Sequence, residues 1–406
     1  LSDLRSSIHS LSTFEEEEVL LCQHDLYAFS LSFLASLVLG KKLSIFSNEK
    51  SEDWLSLNQN SLKLSDDFPL KMNGPKYLDD LSVSQDFLAY FYTSGSSGQA
   101  KKVPKTFANL FLEAKGLENL FTELRETKFV ISSVSHNHIY GFLFRFLWPM
   151  LSGRKVLLEE IVYHEDLLKT SIENDCIFLS SPAFLKRLDN EIKPVKNVSA
   201  IFSSGGLLSK EVSDQTLSIL HTRPIEVFGS TETGGVAYRQ QSNPQSLWIK
   251  FPDVEISSTQ DSLLKVSSPF IFEKEFVMGD MFQLHANAEF ELLGRADRIA
   301  KVEEKRVSLV AIEKCLNSLA LVQDSAVIFL EDGVRQQTCA AIVLSLEGQS
   351  LKQQMGDYSF KRILRQELSK HFDLVVVPKR FRFVAELPYN SQSKILFNDV
   401  RSLFHE

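Results

Sequence analysis

Three short segments, far apart in the chain, set glycine beside hydroxyl and charged side chains: TSGSSGQAKK at 93–102, SSGGLL at 203–208 and FGSTE at 228–232. In the first, the N–H groups of a turn built on Gly95 and Gly98 can converge on an anion. Thr93, Ser94, Ser96 and Ser97 add hydroxyl donors, and Lys101 adds charge, a combination suited to a polyphosphate. It is not a Walker A loop, because Gly95 and Gly98 are only three apart and no glycine precedes Lys101. Standing alone, it reads more readily as a linker. In the third segment Phe228 can cover a base, Gly229 and Ser230 form a turn, Thr231 can reach a phosphate, and Glu232 can carry magnesium beside phosphate oxygens. Further along, Asp280 in MGD could accept from both hydroxyls of a ribose, and Arg295 could donate to the same sugar or to a phosphate. Lys394 emerges from the polar turn of LPYNSQSK. Taken singly, each of these is an ordinary turn or surface residue.

The elements that must carry these residues are legible as apolar or β-branched runs: FLAYFYT (87–93), KFVISSV (128–134), CIFLSS (176–181), SAIFSSG (199–205) and PIEVFGS (224–230). Each ends in small or hydroxylated residues. Helix-like stretches lie between several of them, and in open α/β sheets ligands sit beyond the carboxyl ends of the strands. Upstream, EEVLLCQ reads as a strand and DLYAFSLSFLASLVLG (25–40) as a buried helix, with Asp25 as N-cap and Gly40 as its stop; KLSIF then returns as a strand. That β-α-β unit favours a parallel sheet. The 25–40 stretch is not read as a membrane or signal segment, because FEEEE precedes it and serines interrupt it.

With 406 residues the chain should divide into more than one core. Near residue 294 the texture changes to charged RADRIAKVEEKR. Beyond it, VQDSAVIFL and AAIVLSL with helices near 310–318 and 359–372 read as a small α+β unit. The expected division is 1–294, a hinge at 295–300, and 301–406. A net charge of −8 excludes a general nucleic-acid binder. Cys22, Cys176, Cys315 and Cys339 show no CxxC spacing, which suits inert thiols in a reducing, cytoplasmic setting.

Taken in order, the segments resemble the adenylate-forming superfamily of acyl-CoA synthetases, aryl-CoA ligases, luciferases and peptide-synthetase adenylation domains. TSGSSGQAKK is similar to its phosphate loop, HIYGF (138–142) to the segment beside the acyl carboxylate, SSGGLL to its adenine and acyl-pocket loop, and FGSTE to its aromatic-glycine-x-threonine-glutamate motif. MGD, GRADRIAKVEEKRVSLVAIE and LPYNSQSK are similar to its ribose, hinge and C-terminal lysine motifs. The resemblance implies an α/β fold: a large N-terminal domain of parallel and mixed sheets flanked by helices, with a small mobile α+β C-terminal lid. It also implies ATP and Mg2+ as cofactors, a small carboxylic acid as substrate, and attack of that acid on the α-phosphate to give an acyl-adenylate and pyrophosphate. A thiol of coenzyme A or phosphopantetheine would then take the acyl group and release AMP. By the same match the loop amides with Thr93, Ser94, Ser96, Ser97 and Lys101 hold pyrophosphate, and Thr231 orients the α-phosphate. Glu232 holds magnesium, Phe228 lies against adenine, and Gly205 and Gly206 let the base approach the backbone. Asp280 and Arg295 grip the ribose, Lys394 bridges carboxylate and α-phosphate, and Asp297 is the hinge. His138 is preferred as an acyl-site histidine over a core one. The acid pocket is expected from 132–148, 202–208 and 228–238, with His136, His138, Phe142, Phe144 and Trp148 around it.

Some positions depart from the family pattern: Ala100, Lys102, Met278, Ser393, and above all Glu304 and Ala311, which bear on the thiol step. The segment before the phosphate-type loop is short, so either this is a compact subfamily or the chain begins late. Compact members with an EKRVSL-like hinge segment resemble ligases that charge an acyl carrier protein. On that resemblance an acyl carrier protein is the expected acceptor, with neither nucleic acid nor membrane insertion involved. Basic stretches at 361–366 and 378–383 suit an acidic partner. Two readings stay open beside it: an acyl- or aryl-CoA ligase using free coenzyme A, and a non-turning-over sensor or scaffold that binds ATP or an acyl-adenylate. An adenylating oxygenase is a further alternative.

Overall fold

A computed structural model describes residues 2–49, 52–56, 61–68, 82–94, 100–173, 175–189, 198–243, 245–302, 305–332, 335–389 and 395–404. The expected β-α-β unit is present. Glu18–Leu21 pairs in parallel with Lys42–Ile45 across the helix Leu26–Leu39. Asp25 caps that helix by accepting from the Ala28 N–H at 2.7 Å, and Gly40 ends it in the left-handed region at φ 68°. Among the described residues this sheet runs Leu62–Leu64, Glu18–Leu21, Lys42–Ile45, Leu88–Ser94 and Ala100–Thr106. Its strands are parallel until the last two, which form an antiparallel hairpin.

A second, larger sheet is built in two halves. Phe129–Ser132, Cys176–Ser180, Val198–Ser203 and Ile225–Ser230 are parallel neighbours. Gly234–Arg239 then reverses direction and begins an antiparallel half that includes Trp248–Lys250, Glu289–Arg295, Glu275–Leu284 and Leu263–Ser267. The reversal occurs at the FGSTETGG turn, so the end of the parallel half and the start of the antiparallel half meet at Glu232. One hydrophobic core from Ile8 to Phe290 joins the two sheets, filled by rings such as Phe29, Phe33, Phe91, Phe142 and Trp148. Burying rings of this size supplies the main driving force for that packing.

Past Arg295 a turn of 3-10 helix, Ala296–Arg298, leads into the hairpin Ile299–Val302 and Lys305–Ser308. Next come the helix Leu309–Asn317 and the sheet of Val322–Asp332, Arg335–Leu344 and Arg380–Phe383. The helix expected near 359–372 ends at Leu368 and extends back to Leu346 through a break at Gly356, whose φ is 80°. Two separate apolar clusters, Ala300 to Phe381 and Ala326 to Phe404, fill this part. Cys22, Cys176 and Cys339 are buried and unbridged, and burial pushes their thiols up to about 12, 12 and 11. They are protonated and inert at neutral pH. Among the described residues no helix is long and apolar enough to cross a membrane.

Candidate active site

The hairpin that carries the first glycine segment sets Thr93 opposite Lys101 and Ser94 opposite Ala100. Gly95, Ser96, Ser97 and Gly98 lie outside the described residues, as do Lys394 and Glu304. Lys101 reaches out of the strand, and its Nζ donates to Glu232 Oε1 at 2.6 Å, 131 residues away in sequence. Burial by itself would raise the Glu232 carboxyl, but the hydrogen bond from Lys101, with further donors, holds it below the usual carboxylate range. Glu232 is therefore an anion at neutral pH. Its carboxylate, with the Ser230 and Thr231 hydroxyls in the same turn, offers only oxygen ligands, the donor set that suits magnesium.

The turn itself is knitted by Thr233. The Ser230 N–H donates to Thr233 Oγ1 at 3.0 Å, and that hydroxyl donates to Gly234 O at 2.8 Å. Phe228, half-buried, packs on Trp248 with centroids 5.6 Å apart and on Phe290 at 6.3 Å. On the neighbouring strand end, Ser204 Oγ donates to Val227 O at 2.9 Å, tying the SSGG loop to the strand that delivers Phe228. Gly205 there takes φ 88° and, like Gly206, is exposed. Among the described residues, its chain neighbours aside, no atom lies within 4 Å of where a Cβ on Gly205 would be.

Asp280 and Arg295 are register partners on adjacent antiparallel strands. Arg295 Nη1 stands 3.8 Å from Asp280 Oδ2, while its Nε and Nη2 bind the two oxygens of Asp297 at 2.9 Å each. Asp280 is largely buried, and burial raises its carboxyl against the opposing pull of Arg295. The Arg295 charge is also felt by Glu232. Lys101, Glu232, Asp280, Arg295 and Asp297 thus form one chain of interacting charges drawn from three distant segments.

The expected acid pocket needs correction. His136 is fully buried, with Nε2 2.9 Å from Gln23 O and its ring 4.5 Å from Phe29. Burial pushes its imidazole down to about 3, so it is a neutral core histidine that donates to that carbonyl. Phe142 is ringed by Phe33, Phe91 and Phe146 at 5.0–5.3 Å. Trp148 sits beside Phe144 and Phe202 and donates from Nε1 to Glu118 at 2.7 Å. Phe142, Phe144 and Trp148 are therefore core residues rather than pocket wall. His138 is half-buried at the start of the short helix Ile139–Gly141, where its carbonyl accepts from the Phe142 N–H at 2.7 Å. Two charged residues that sequence reasoning missed, Lys105 and Glu113, lie buried under the Glu232 turn. The alternation of Lys101, Val103 and Lys105 along one face of a strand was the available signal.

The sequence pattern of AMP-binding enzymes matches residues 10–257. A 4-coumarate–CoA ligase of Cereibacter sphaeroides is 25% identical over 306 residues, covering 75% of this chain and 69% of that protein. Among solved structures, ATP-bound MatB from Rhodopseudomonas palustris superposes with a TM-score of 0.81 at 14% identity, covering 100% of this chain and 92% of that one. The o-succinylbenzoate coenzyme A synthetase of Bacillus subtilis, in complex with ATP and magnesium, gives 0.78 at 15% identity over 98% and 92%. At these identities the superpositions establish the shared fold.

Proposed function

This chain belongs to the AMP-binding enzyme family and is an adenylate-forming enzyme that activates a small carboxylic acid, and from that premise we propose that it completes the reaction by passing the acyl group to a phosphopantetheine thiol. The observation that carries the reading is that Lys101 bonds Glu232, Arg295 stands beside Asp280, and the Glu232 charge acts on Arg295. An ammonium for phosphate oxygens, a carboxylate for magnesium, and an acid and a guanidinium for a ribose are what a nucleotide with a leaving pyrophosphate requires.

In this reading Lys101 and Glu232 neutralise each other until nucleotide arrives. With nucleotide bound, Lys101 would face the phosphates and the Glu232 carboxylate would be the residue to hold magnesium. Bound Mg2+ supplies charge neutralisation on the departing pyrophosphate. Thr231 orients the α-phosphate, Asp280 and Arg295 hold the sugar, and Lys394 brings a cation to where carboxylate and phosphate charge converge. Asp297 serves as the hinge for residues 301–406 acting as a lid. A carrier protein is the acceptor expected from sequence, yet two of the arginines invoked for it are internally engaged. Arg380 donates to Phe404 O at 2.8 Å and Arg382 to Leu403 O at 3.1 Å. The steering surface therefore rests on Arg362 and Lys379, which stay exposed.

Acid-dependent exchange of pyrophosphate into ATP, screened over aryl and fatty acids, tests the first step. Exchange with at least one acid class is expected, and its fall by two or more orders of magnitude in Lys394→Ala with ATP binding retained. Full exchange in that variant removes Lys394 from the reaction, and no exchange with any acid overturns the reading in favour of a binding scaffold. Thioester assays run side by side with coenzyme A and with a phosphopantetheinylated carrier identify the acceptor.

A further inference from the structure

Two buried charges beneath the Glu232 turn have no place in the scheme above. Lys105 is fully buried, and its Nζ donates to the backbone carbonyls of Glu232 at 2.9 Å and Phe270 at 2.6 Å. Because alternate strand residues share a face, Lys101 and Lys105 rise from the same side of one strand. That strand consequently grips Glu232 twice, at its carboxylate and at its carbonyl. From the helix Phe107–Leu120, Glu113 accepts the Gly235 N–H on Oε1 at 2.6 Å, while its Oε2 is buried with no hydrogen-bond partner. Gly234, at φ 68°, lies so near this carboxylate that a Cβ there would stand 2.4 Å from Oε2. The turn is clamped at Glu232 by Lys105 and at Gly234–Gly235 by Glu113.

Such an arrangement is a poor way to gain stability. Burial pushes Glu113 up to about 7 and Lys105 down to about 8, each opposed by the other's charge. Apolar residues of similar volume commonly replace buried ion pairs with no loss of stability. Two buried charged side chains, each bonded to backbone of the turn that carries Glu232, point to a role in placing that turn.

We propose that Lys105 and Glu113 are positioning residues that fix the Ser230–Gly235 turn so that the Glu232 carboxylate is presented to a magnesium-bearing polyphosphate. The proposal rests on the acid-activating reading above. Neither residue contacts nucleotide or acid; both act through the backbone of the turn.

The test compares Lys105→Met, Glu113→Gln and the double variant with the wild-type chain at neutral pH. Calorimetric binding of a non-hydrolysable ATP analogue with Mg2+, the thermal midpoint, and pyrophosphate exchange as a function of Mg2+ are measured for each. For Lys105→Met, the Mg2+ needed for half-maximal analogue binding is expected to rise about tenfold, with the KM for the acid unchanged. The double variant should melt at or above the wild-type temperature and still bind Mg2+·analogue weakly. Recovery of both stability and wild-type binding in the double variant overturns the proposal, because the pair then serves folding alone. Should Lys105→Met or the double variant not fold, Glu113→Leu, which removes the acceptor of the Gly235 N–H, decides; an unchanged Mg2+ dependence there overturns it equally. A wild-type chain that binds no Mg2+·analogue and shows no exchange points instead to failure of the acid-activating reading.

Discussion

Arg295 and Arg298 stand three residues apart, on either side of one turn of 3-10 helix, in surroundings of opposite character. Arg295 is half exposed, and its paired ligand Asp297 is equally so. Arg298 is nearly buried. It donates to Val327 O at 2.8 Å, lies 3.9 Å above the Phe397 ring, and pairs with Glu313, which in turn accepts the Val327 N–H at 2.7 Å. An exposed pair holds its partners weakly and can exchange one for a ligand. A buried pair with every donor satisfied does not exchange, because separating it strands a charge in a low-dielectric interior. The contrast shows how an exposed arginine, proposed for the nucleotide, and an arginine bound into the C-terminal core can share one short segment. Asp297, the expected hinge, lies between a replaceable contact and a fixed one.

The firmest way to break this comparison is at the fixed end. Arg298→Ala should cost about 3 kcal/mol or more in urea unfolding, since Glu313 is left buried without its partner. A loss under about 1 kcal/mol would place Arg298 in the exposed class with Arg295.

A second test concerns Lys105 and Glu113 under the Glu232 turn, two buried charges that bond backbone of the turn where Arg298 bonds a carboxylate. Glu113 has a folded value near 7 against 4.5 for a free carboxyl, so its favourable contribution is complete below about 4.5 and lost as pH rises through 7. Lys105 has a folded value near 8 against 10.5, so its contribution is complete above about 10.5 and lost as pH falls through 8. The pair therefore contributes least between 7 and 8. The Glu232 carboxylate, bonded by Lys101, also acts on Lys105 and opposes its shift. Wild-type stability, taken relative to the Lys105→Met/Glu113→Gln variant, should show a minimum near neutral pH, with a rise of roughly 1–2 kcal/mol toward pH 5. A flat difference means that burial has not shifted these groups.

What the sequence disclosed follows the same division between local and distant causes. Strands and the capped helix 26–39 were legible because apolar runs, Asp25 and Gly40 act through neighbours in the chain. Cys22, Cys176 and Cys339, which have no CxxC spacing, are buried free thiols. Lys105 and Glu113 were missed because a lone lysine and glutamate are assigned to the surface by type, and the partner that explains Glu113 is 122 residues away. His136, Phe142 and Trp148 were misplaced for a related reason. An aromatic near a site motif looks the same in sequence whether it lines a pocket or fills the core. The neighbours that decide, Gln23, Phe29 and Phe33, come from an earlier part of the chain.

The two smallest effects fall at the exchangeable end. Arg295→Ala should raise the KM for ATP about tenfold while leaving unfolding within about 0.5 kcal/mol of wild type, the reverse of the Arg298 result.

Asp297→Asn sharpens the point by removing the competitor rather than the arginine. Asp297 occupies Nε and Nη2 of Arg295, two of its three guanidinium nitrogens. Nucleotide binding must first release that pair, whose worth as an exposed ion pair is about 0.2–1 kcal/mol. Weakening it should tighten binding of a non-hydrolysable ATP analogue by about two- to threefold, with stability unchanged. Measuring binding alone keeps any effect on hinge motion out of the readout. If affinity instead falls, Asp297 aligns Arg295 for the sugar rather than competing for it, and the Arg295–Asp297 pair belongs with the fixed contacts.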